Sequence, residues 1–463
     1  MSSSVSFPLL SYADALRFWY DRTNYEQRMA RPGDLKLDRM RQLLDRLGDP
    51  HRRLRILHVT GTKGKGSTSA LLASILRHAG YRTGLFTSPH LVHVEERFQV
   101  DGQPILPTEL TSLLSEIRSV VGDLPDVTFF EICTAVGFLH FVRRRAEVVV
   151  LEVGLGGRFD STNVCRPEVA IITSISLDHT RQLGNTLASI AFEKAGIVKP
   201  LRPTVSGVLE TEPREVIERI CGERTSPLTE VGRDFDFTTV PGRVVGERID
   251  PMLVTVRTRR RLWSDLEVGL LGRFQAGNAA VAVATIEQLQ QAGWPIREEA
   301  VRAGLAKVHW PARLEVVRYR PTVVLDCAHN VASAEVLVNA LAESFPPGRR
   351  WLVFASSNDK DTAGMARVLA PHFAGVVVTR YLGSSRAVPP EQLAEFFPQA
   401  IACADPRAAL ERVRELARPD ELICVAGSVF LAGEMKAILS TEGERPGRAS
   451  SVLAGVRDSD GVS

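Results

Sequence analysis

Cysteine is sparse in this chain of 463 residues: there are six, Cys133, Cys165, Cys221, Cys327, Cys403 and Cys424, with no C-x-x-C pair among them. Such spacing fits reduced thiols in a cytosolic protein, several of them in apolar runs, better than a disulfide framework or a zinc site. An excess of one charge sign is lacking too. Lys plus Arg number 57 against 54 for Asp plus Glu, a net charge of +3 spread along the chain, so the electrostatic footprint of a dedicated nucleic-acid binder is missing. No segment reaches the roughly 18 consecutive apolar residues of a membrane span. The start, MSSSVSFPLLSYADALRFWY, has no basic stretch followed by a sustained apolar one. A cytoplasmic protein is expected, with neither nucleic acid nor membrane as partner. What remains is ordinary globular material, with 44% hydrophobic and 24% charged residues and no evident internal repeat. The length is two to three times that of a usual domain, so two domains are expected.

From about Leu54, short β-branched runs alternate with longer amphipathic stretches. Leu54 to Thr60, Arg82 to Thr87, Glu147 to Val153 and Val169 to Ser174 read as strands, being short, apolar and bounded by Gly, Pro or polar residues. Lys65 to Ala79, Thr108 to Val121 and Phe129 to Arg145 read as helices, with Gly80 as a C-cap. Strand, helix, strand in that order requires crossovers and a parallel sheet. The stretch from about Asp234 to Leu271 alternates in MLVTVRTRRRLW and holds no good helix, which predicts a small antiparallel insertion. Strands TVVLDC, RRWLVFA, GVVVTR and ELICVA then alternate with helices such as Val331 to Phe345, a second α/β domain starting near Arg313. The last residues, rich in Ser and Gly, read as a disordered tail.

Three strings carry chemistry. His58 to Thr68, HVTGTKGKGST, follows a strand and opens a helix, the setting in which backbone N–H groups and a helix N-terminus cradle phosphate oxygens. Gly61, Gly64 and Gly66 let the backbone approach, Lys65 neutralises the β- and γ-phosphates, and the Ser67 hydroxyl can reach a hard divalent cation. The strict P-loop string is not met, since Val59 stands where its first glycine would be and Gly66 follows the lysine. LEVGLGGRFD (151–160) ends a very apolar strand and places Glu152 as a site carboxylate, because ligands of open parallel sheets bind at strand carboxyl ends. Its glycines alone fit equally a turn that needs positive φ. SISLDH (174–179) ends another strand and FEKAG (192–196) follows on a helix. Singly, His179 reads as a satisfied histidine and Lys194 as a solvated helix residue.

Taken together and in order, these strings resemble the folylpolyglutamate synthase and dihydrofolate synthase family, a branch of the Mur ligase superfamily. The resemblance rests on HVTGTKGKGST (58–68), TSPHLVHVEERFQVDGQ (87–103), TFFEICTA (128–135), LEVGLGGRFDSTNV (151–164), ITSISLDHT (172–180) and FEKAGIVKP (192–200). It continues through GRFQAGNA (272–279), HWPARLE (309–315), LDCAHN (325–330), FASSNDKD (354–361), SSRAVPPEQL (384–393) and VAGSVFLAGE (425–434), covering nearly the whole chain. It implies an α/β fold with three parts. A P-loop-type, mostly parallel sheet ATPase domain would span residues 1–312, with the β-rich insertion at about 234–271; a Rossmann-like α/β domain would span 313–440, and the tail 441–463. It also implies an ATP-dependent amide ligase. A dihydropteroate or (tetrahydro)folate carboxylate attacks the γ-phosphate of ATP, and the amine of L-glutamate then displaces phosphate from the acyl phosphate. Both activities are expected on one monomeric chain.

Carried onto this chain, the family's sites fall as follows. Gly61, Thr62, Gly64, Lys65, Gly66, Ser67 and Thr68 would hold the phosphates of ATP, with Asn278, Arg313 and Asp326 on the nucleotide and His329 and Asn330 close by. Ser88 and Glu152, with Ser67 nearby, would bind a first Mg²⁺, and Glu152 and His179 a second. Lys194 matches a lysine that CO₂ carbamylates, turning a cation into an anion beside the metals. Lys65, Glu152, His179 and Lys194 would thus be the catalytic set. Phe130 and Asp160 match the lining of the pterin pocket, where a ring stacks and a carboxylate accepts from N–H groups, and Arg97 lies near the substrate carboxylates. Three departures stand out: Lys63 for the usual Asn, Phe274 for a His, and Cys327 for a Gly. A Mur-type ligase of other carboxylates is disfavoured by TSPHL and FFEICTA. A non-catalytic nucleotide-binding homologue is disfavoured by the intact charges of Lys65, Glu152, His179 and Lys194.

Overall fold

The computed structural model describes residues 9–26, 34, 36–122, 124 and 126–443. Two sheets organise it. The first has eight strands: β1 (Ile56–Thr60), β2 (Thr83–Phe86), β3 (Phe98–Val100), β4 (Gln103–Pro104), β5 (Val148–Glu152), β6 (Val169–Ile172), β7 (Thr204–Ser206) and β8 (Leu228–Glu230), in the order β4-β3-β2-β5-β1-β6-β7-β8. All pairings are parallel except those of the β2-β3-β4 edge. β1 sits at the centre, and β5 beside it, both buried along their whole length. Their continuous apolar runs follow from helices on both faces.

Alternate residues of these strands serve opposite layers. Leu57 and Val59 pack with Leu71, Leu72, Ile75 and Leu76 of the Lys65–His78 helix and with the Phe274–Gln291 helix. Ile56, Val149 and Leu151 pack on the Pro107–Val121 and Phe129–Arg143 helices. The N-terminal helices Tyr12–Tyr20 and Leu37–Arg46, which the strand-helix alternation did not anticipate, close this second layer through Trp19, Met40, Leu43 and Leu44.

The insertion is antiparallel, as its pattern predicts. Strands β9 (Phe235–Val240), β10 (Arg243–Val245), β11 (Arg248–Asp250), β12 (Met252–Thr258) and β13 (Leu262–Val268) form a three-stranded sheet β13-β12-β9 and a separate β10-β11 hairpin. The second large sheet contains β14 (Glu315–Arg318), β15 (Thr322–Leu325), β16 (Arg350–Phe354), β17 (Gly375–Val378), β18 (Ile401–Ala402) and β19 (Leu422–Ala426), ordered β14-β15-β19-β16-β17-β18. Only the β14 edge is antiparallel. Val324, Leu352 and Cys424 face the Val331–Ser344 and Thr362–Leu369 helices, while Val323, Val353 and Val425 face the Pro406–Leu416 and Val429–Gly443 helices. All six cysteines are free, and only Cys403 is not fully buried.

The final helix carries on through residues 441–443, so the start of the expected tail is helical; the rest of that expectation, 444–463, lies outside the described residues. Both sheets turn the carboxyl ends of their central strands toward one cleft. Its lining includes the loops after β1, β5 and β6 from the first sheet and those after β15, β16 and β19 from the second. This is where open parallel sheets hold ligands.

Candidate active site

The loop between β1 and the Lys65–His78 helix forms the floor of the cleft. Gly64 is the helix N-cap in a left-handed conformation with φ +82°, and a Cβ there would lie 2.2 Å from Asn278 Oδ1. Glycine is required on both counts. The segment 173–176 after β6 laces this loop down: Thr62 N donates to Ser174 O at 2.8 Å, Lys63 N to Ser174 Oγ at 3.0 Å, and Thr173 Oγ1 to Lys63 O at 2.6 Å. The Lys63 ammonium reaches Asp178 Oδ2 at 3.2 Å. Burial would raise the Asp178 carboxyl, but Lys63 and His179 outweigh it and hold it well below the usual carboxylate range. The Asn-to-Lys departure therefore has a partner in Asp178.

Lys65 Nζ donates back to Gly61 O at 3.1 Å, and Lys194 Nζ donates to the same carbonyl at 2.9 Å. Two lysines thus share one acceptor. Lys194 is 4% exposed, and burial followed by the Lys65 charge pushes its amine well below the ordinary lysine value. It does not line the cleft but stands behind the loop, as do Gly61 and Thr68; Thr68 Oγ1 has no hydrogen-bond partner among the described residues. The reading of Lys194 as a solvated helix residue is thereby corrected, because the Leu187–Ala195 helix turns it into the protein.

Glu152 ends β5 next to Val59 of β1, 4% exposed, accepting from Ser88 N at 3.1 Å. Burial pushes its carboxyl up to about 7 against the opposing charges of Lys65 and Arg313. His179 stands at the rim of the cleft, half-exposed, its backbone at φ +49°. The other expected residues Thr62, Gly66, Ser67, Ser88, Asn278, Arg313, Asp326 and His329 all line the same cleft.

Several of these are already engaged within the protein. Asp326 accepts Leu314 N at 2.9 Å and Ala328 N at 2.8 Å, so its carboxylate ties the segment before β14 to the loop after β15. Asn330 caps the Val331–Ser344 helix through Ser333 N at 2.9 Å, and His329 Nδ1 lies 2.8 Å from Cys327 O. Arg313 is half-buried beside Cys327 and Asp326, whose charges outweigh desolvation and push its guanidinium above the ordinary arginine value. Arg97 is 1% exposed and holds Glu26 in a bidentate pair at 2.7 Å on each arm, its Nε donating to His90 Nδ1 at 2.9 Å. Asp160 accepts Leu155 N at 2.9 Å and Thr162 N at 3.0 Å, and Phe130 packs where a Cβ on Gly154 would come within 2.4 Å of its ring.

The strings FASSNDKD and SSRAVPPEQL held two further cleft residues that motif reasoning left without a role, Lys360 and Arg386. Both come from the second sheet's loops and face the first sheet's charges: Lys360 acts on His179 and Lys63, and Arg386 on Glu26. Their signal was a basic residue in a loop after a strand carboxyl end.

Known proteins share this architecture. Residues 59–286 match the Mur ligase middle domain and residues 312–429 the Mur ligase glutamate ligase domain. A dihydrofolate synthase/folylpolyglutamate synthase from Bacillus subtilis is 34% identical, the alignment covering 92% of this chain and 98% of that protein. The Escherichia coli FolC structure in complex with DHPP and ADP superposes with a TM-score of 0.82 at 29% identity, covering 96% of this chain and all of that one. The Yersinia pestis bifunctional folylpolyglutamate synthase/dihydrofolate synthase, solved with AMPPNP and a Mn ion, gives 0.79 at 31% identity, covering 95% of this chain and 100% of that one. The chain belongs to the folylpolyglutamate synthase/dihydrofolate synthase family of Mur ligases, a family of ATP-dependent ligases.

Proposed function

We propose that this protein joins L-glutamate to dihydropteroate, and to (tetrahydro)folate polyglutamates, at the expense of ATP. The observation that carries the reading is the single cleft of about 2050 Å³ in which the Lys65 loop and Glu152 of one sheet face Arg313, Lys360 and Arg386 of the other. A site for one small molecule occupies roughly 300–1,000 Å³, so this cleft has room for three substrates at once. The substrate carboxylate oxygen attacks the γ-phosphorus and ADP leaves; the glutamate nitrogen then attacks the acyl carbon, phosphate leaves, and the amine gives up a proton. Lys65 and Arg313 offset the phosphate charge, and the loop's N–H groups orient it. Catalytic-set membership for His179 and substrate contacts for Arg97, Phe130 and Asp160 belong to the same reading. A division of the chain near Ala312, a monomeric state and a cytoplasmic location accord with it.

A divalent cation fits the donors at Glu152. Its buried carboxyl is pushed up to about 7 and has one backbone donor, Ser88 N, and Ser67 and Ser88 line the same wall. Among the described residues no three His, Cys, Asp or Glu side chains converge as a protein cage. The donor set therefore suits a hard cation carried in on phosphate, which one or two carboxylates suffice to hold. When bound, such an ion neutralises charge on the transferring phosphoryl group. Lys194, with burial and the Lys65 charge pushing its amine well below the ordinary lysine value, is a nucleophile toward CO₂. N–C bond formation with loss of one proton gives a carbamate, an anion that would offset Lys65, and Glu152 and His179 would be the side chains to hold a second cation with it.

The test is product mass after incubation with ATP, Mg²⁺ and L-glutamate, run separately on dihydropteroate and on tetrahydrofolate. Addition of one glutamate to dihydropteroate and of further glutamates to tetrahydrofolate is expected. Addition to neither contradicts the proposal.

A further inference from the structure

Behind the Phe130 side of the cleft runs a file of buried polar groups that ends at Asp160, and its inner members His58, Thr162 and Cys165 have no part in the ligase reaction as written above. His58 stands in the middle of β1, fully buried, on the strand face shared with Ile56 where packing alone calls for an apolar residue. Its Nε2 lies 2.9 Å from Thr162 Oγ1, and its Nδ1 lies 3.6 Å from Cys165 Sγ. The Thr162 hydroxyl in turn donates to Asp160 Oδ1, while Thr162 N donates to that same oxygen and Leu155 N to Oδ2.

The directions follow from counting protons. A carboxylate only accepts, so the one hydroxyl proton of Thr162 goes to Asp160, and the Thr162 oxygen accepts from His58 Nε2–H. A neutral imidazole has a single N–H, which leaves Nδ1 as the acceptor for the Cys165 thiol. Burial supports the neutral form, pushing the His58 imidazole down to about 3. The file therefore has one polarity, from thiol to imidazole to hydroxyl to carboxylate, with every member inside the protein.

Its end is at the cleft. Asp160, Gly154, Leu155 and Phe130 all line it. Asp160 pins the Leu155 amide, and a Cβ on Gly154 would sit 2.4 Å from the Phe130 ring, so the turn and the ring bear directly on each other. An aromatic face beside a fixed carboxylate suits a flat heteroaromatic ring that bears N–H donors. We propose that His58, acting through Thr162, is a positioning residue that fixes Asp160 and the Gly154–Leu155 turn as the wall on which the pteridine ring of the substrate rests. The inference builds on the reaction proposed above.

Calorimetry on the full chain, titrating dihydropteroate and ATP separately, tests it with Thr162→Val and Thr162→Ser. The valine variant removes the link at nearly constant volume, and serine keeps it. Thr162→Val should weaken dihydropteroate about tenfold, the scale of one lost hydrogen bond to a charged group, and leave ATP unchanged; Thr162→Ser should bind as wild type. Equal dihydropteroate affinity for the two variants, or parallel weakening of ATP, would overturn the relay. Nitrogen resonances of His58 in the unmutated protein give a reading that needs no variant to fold: Nε2 protonated and Nδ1 bare is expected, and the opposite tautomer or an imidazolium overturns the proposal. A wild-type chain that binds no dihydropteroate would instead sink the proposed reaction and with it the ligand named here.

Discussion

Glu152→Gln should make the metal-free protein more stable at alkaline pH while impairing its chemistry. Burial pushes the Glu152 carboxyl from its ordinary value of 4.5 up to about 7. A folded-state pKa above the unfolded one means that the native state holds the proton more tightly. Stability is therefore undiminished below the unfolded pKa and falls as pH rises from about 4.5 to about 7. The rise from 4.5 to about 7, at about 1.4 kcal/mol per pH unit, puts the cost of ionised Glu152 at roughly 3.5 kcal/mol above pH 7. Glutamine keeps the shape without the charge, so the variant escapes that cost. Thermal unfolding in chelator at pH 8 should show a midpoint several degrees above wild type, with the gap narrowing at pH 5.5 and closing near pH 4.5. Mg²⁺ with ATP should reverse the order, since ligands that bind only the native state stabilise it and the variant lacks the anionic ligand. A midpoint for Glu152→Gln equal to or below wild type at pH 8 without metal would refute the reasoning.

Lys194→Ala should lower glutamate ligation by a factor on the order of a hundred or more, as loss of a preorganised charged group does, while the circular dichroism spectrum stays native. Substantial turnover without an added small carboxylate, or a wild-type protein with no CO₂-derived mass on Lys194, would count against carbamylation. Gly433→Ala places a Cβ 2.0 Å from the backbone oxygen of Leu91, where the Val429–Gly443 helix meets the loop following Ser88. A backbone atom cannot turn aside, so the two halves of the cleft must part; steady-state kinetics should show kcat down by roughly a hundredfold, the effect of a misplacement of about 1 Å, and an unchanged kcat would show that this contact does not align the site. Lys63→Asn cuts the ion pair with Asp178, whose lysine is 39% exposed; denaturant unfolding should change by no more than about 1 kcal/mol, and a larger loss would mean the pair does more than lace two loops.

The local strings predicted the central strands and the phosphate-type loop because their signals are contiguous. Ile56–Thr60 is apolar and β-branched, and Gly61, Gly64 and Gly66 follow within one turn of a helix that starts at Lys65. What sequence could not show is what distant residues do to each other. Arg97 was expected near substrate carboxylates, yet its guanidinium already holds Glu26, which lies 71 positions earlier. Lys194 was expected at the cations, yet it approaches the site from behind, through Gly61 O, 133 positions away. The Tyr12–Tyr20 and Leu37–Arg46 helices were missed because they are short, and their apolar residues make sense only against the Phe129–Arg143 helix they cover. The meeting of the second sheet's Lys360 and Arg386 with the first sheet's charges is likewise a product of tertiary packing.

The measurement closest to the central claim is ADP release by the purified protein, with each of ATP, L-glutamate and dihydropteroate omitted in turn. A cleft that assembles all three substrates between the two sheets predicts sustained release only when all three are present, lost in Lys65→Ala. Release that is indifferent to glutamate and dihydropteroate, or absent altogether, would contradict the account.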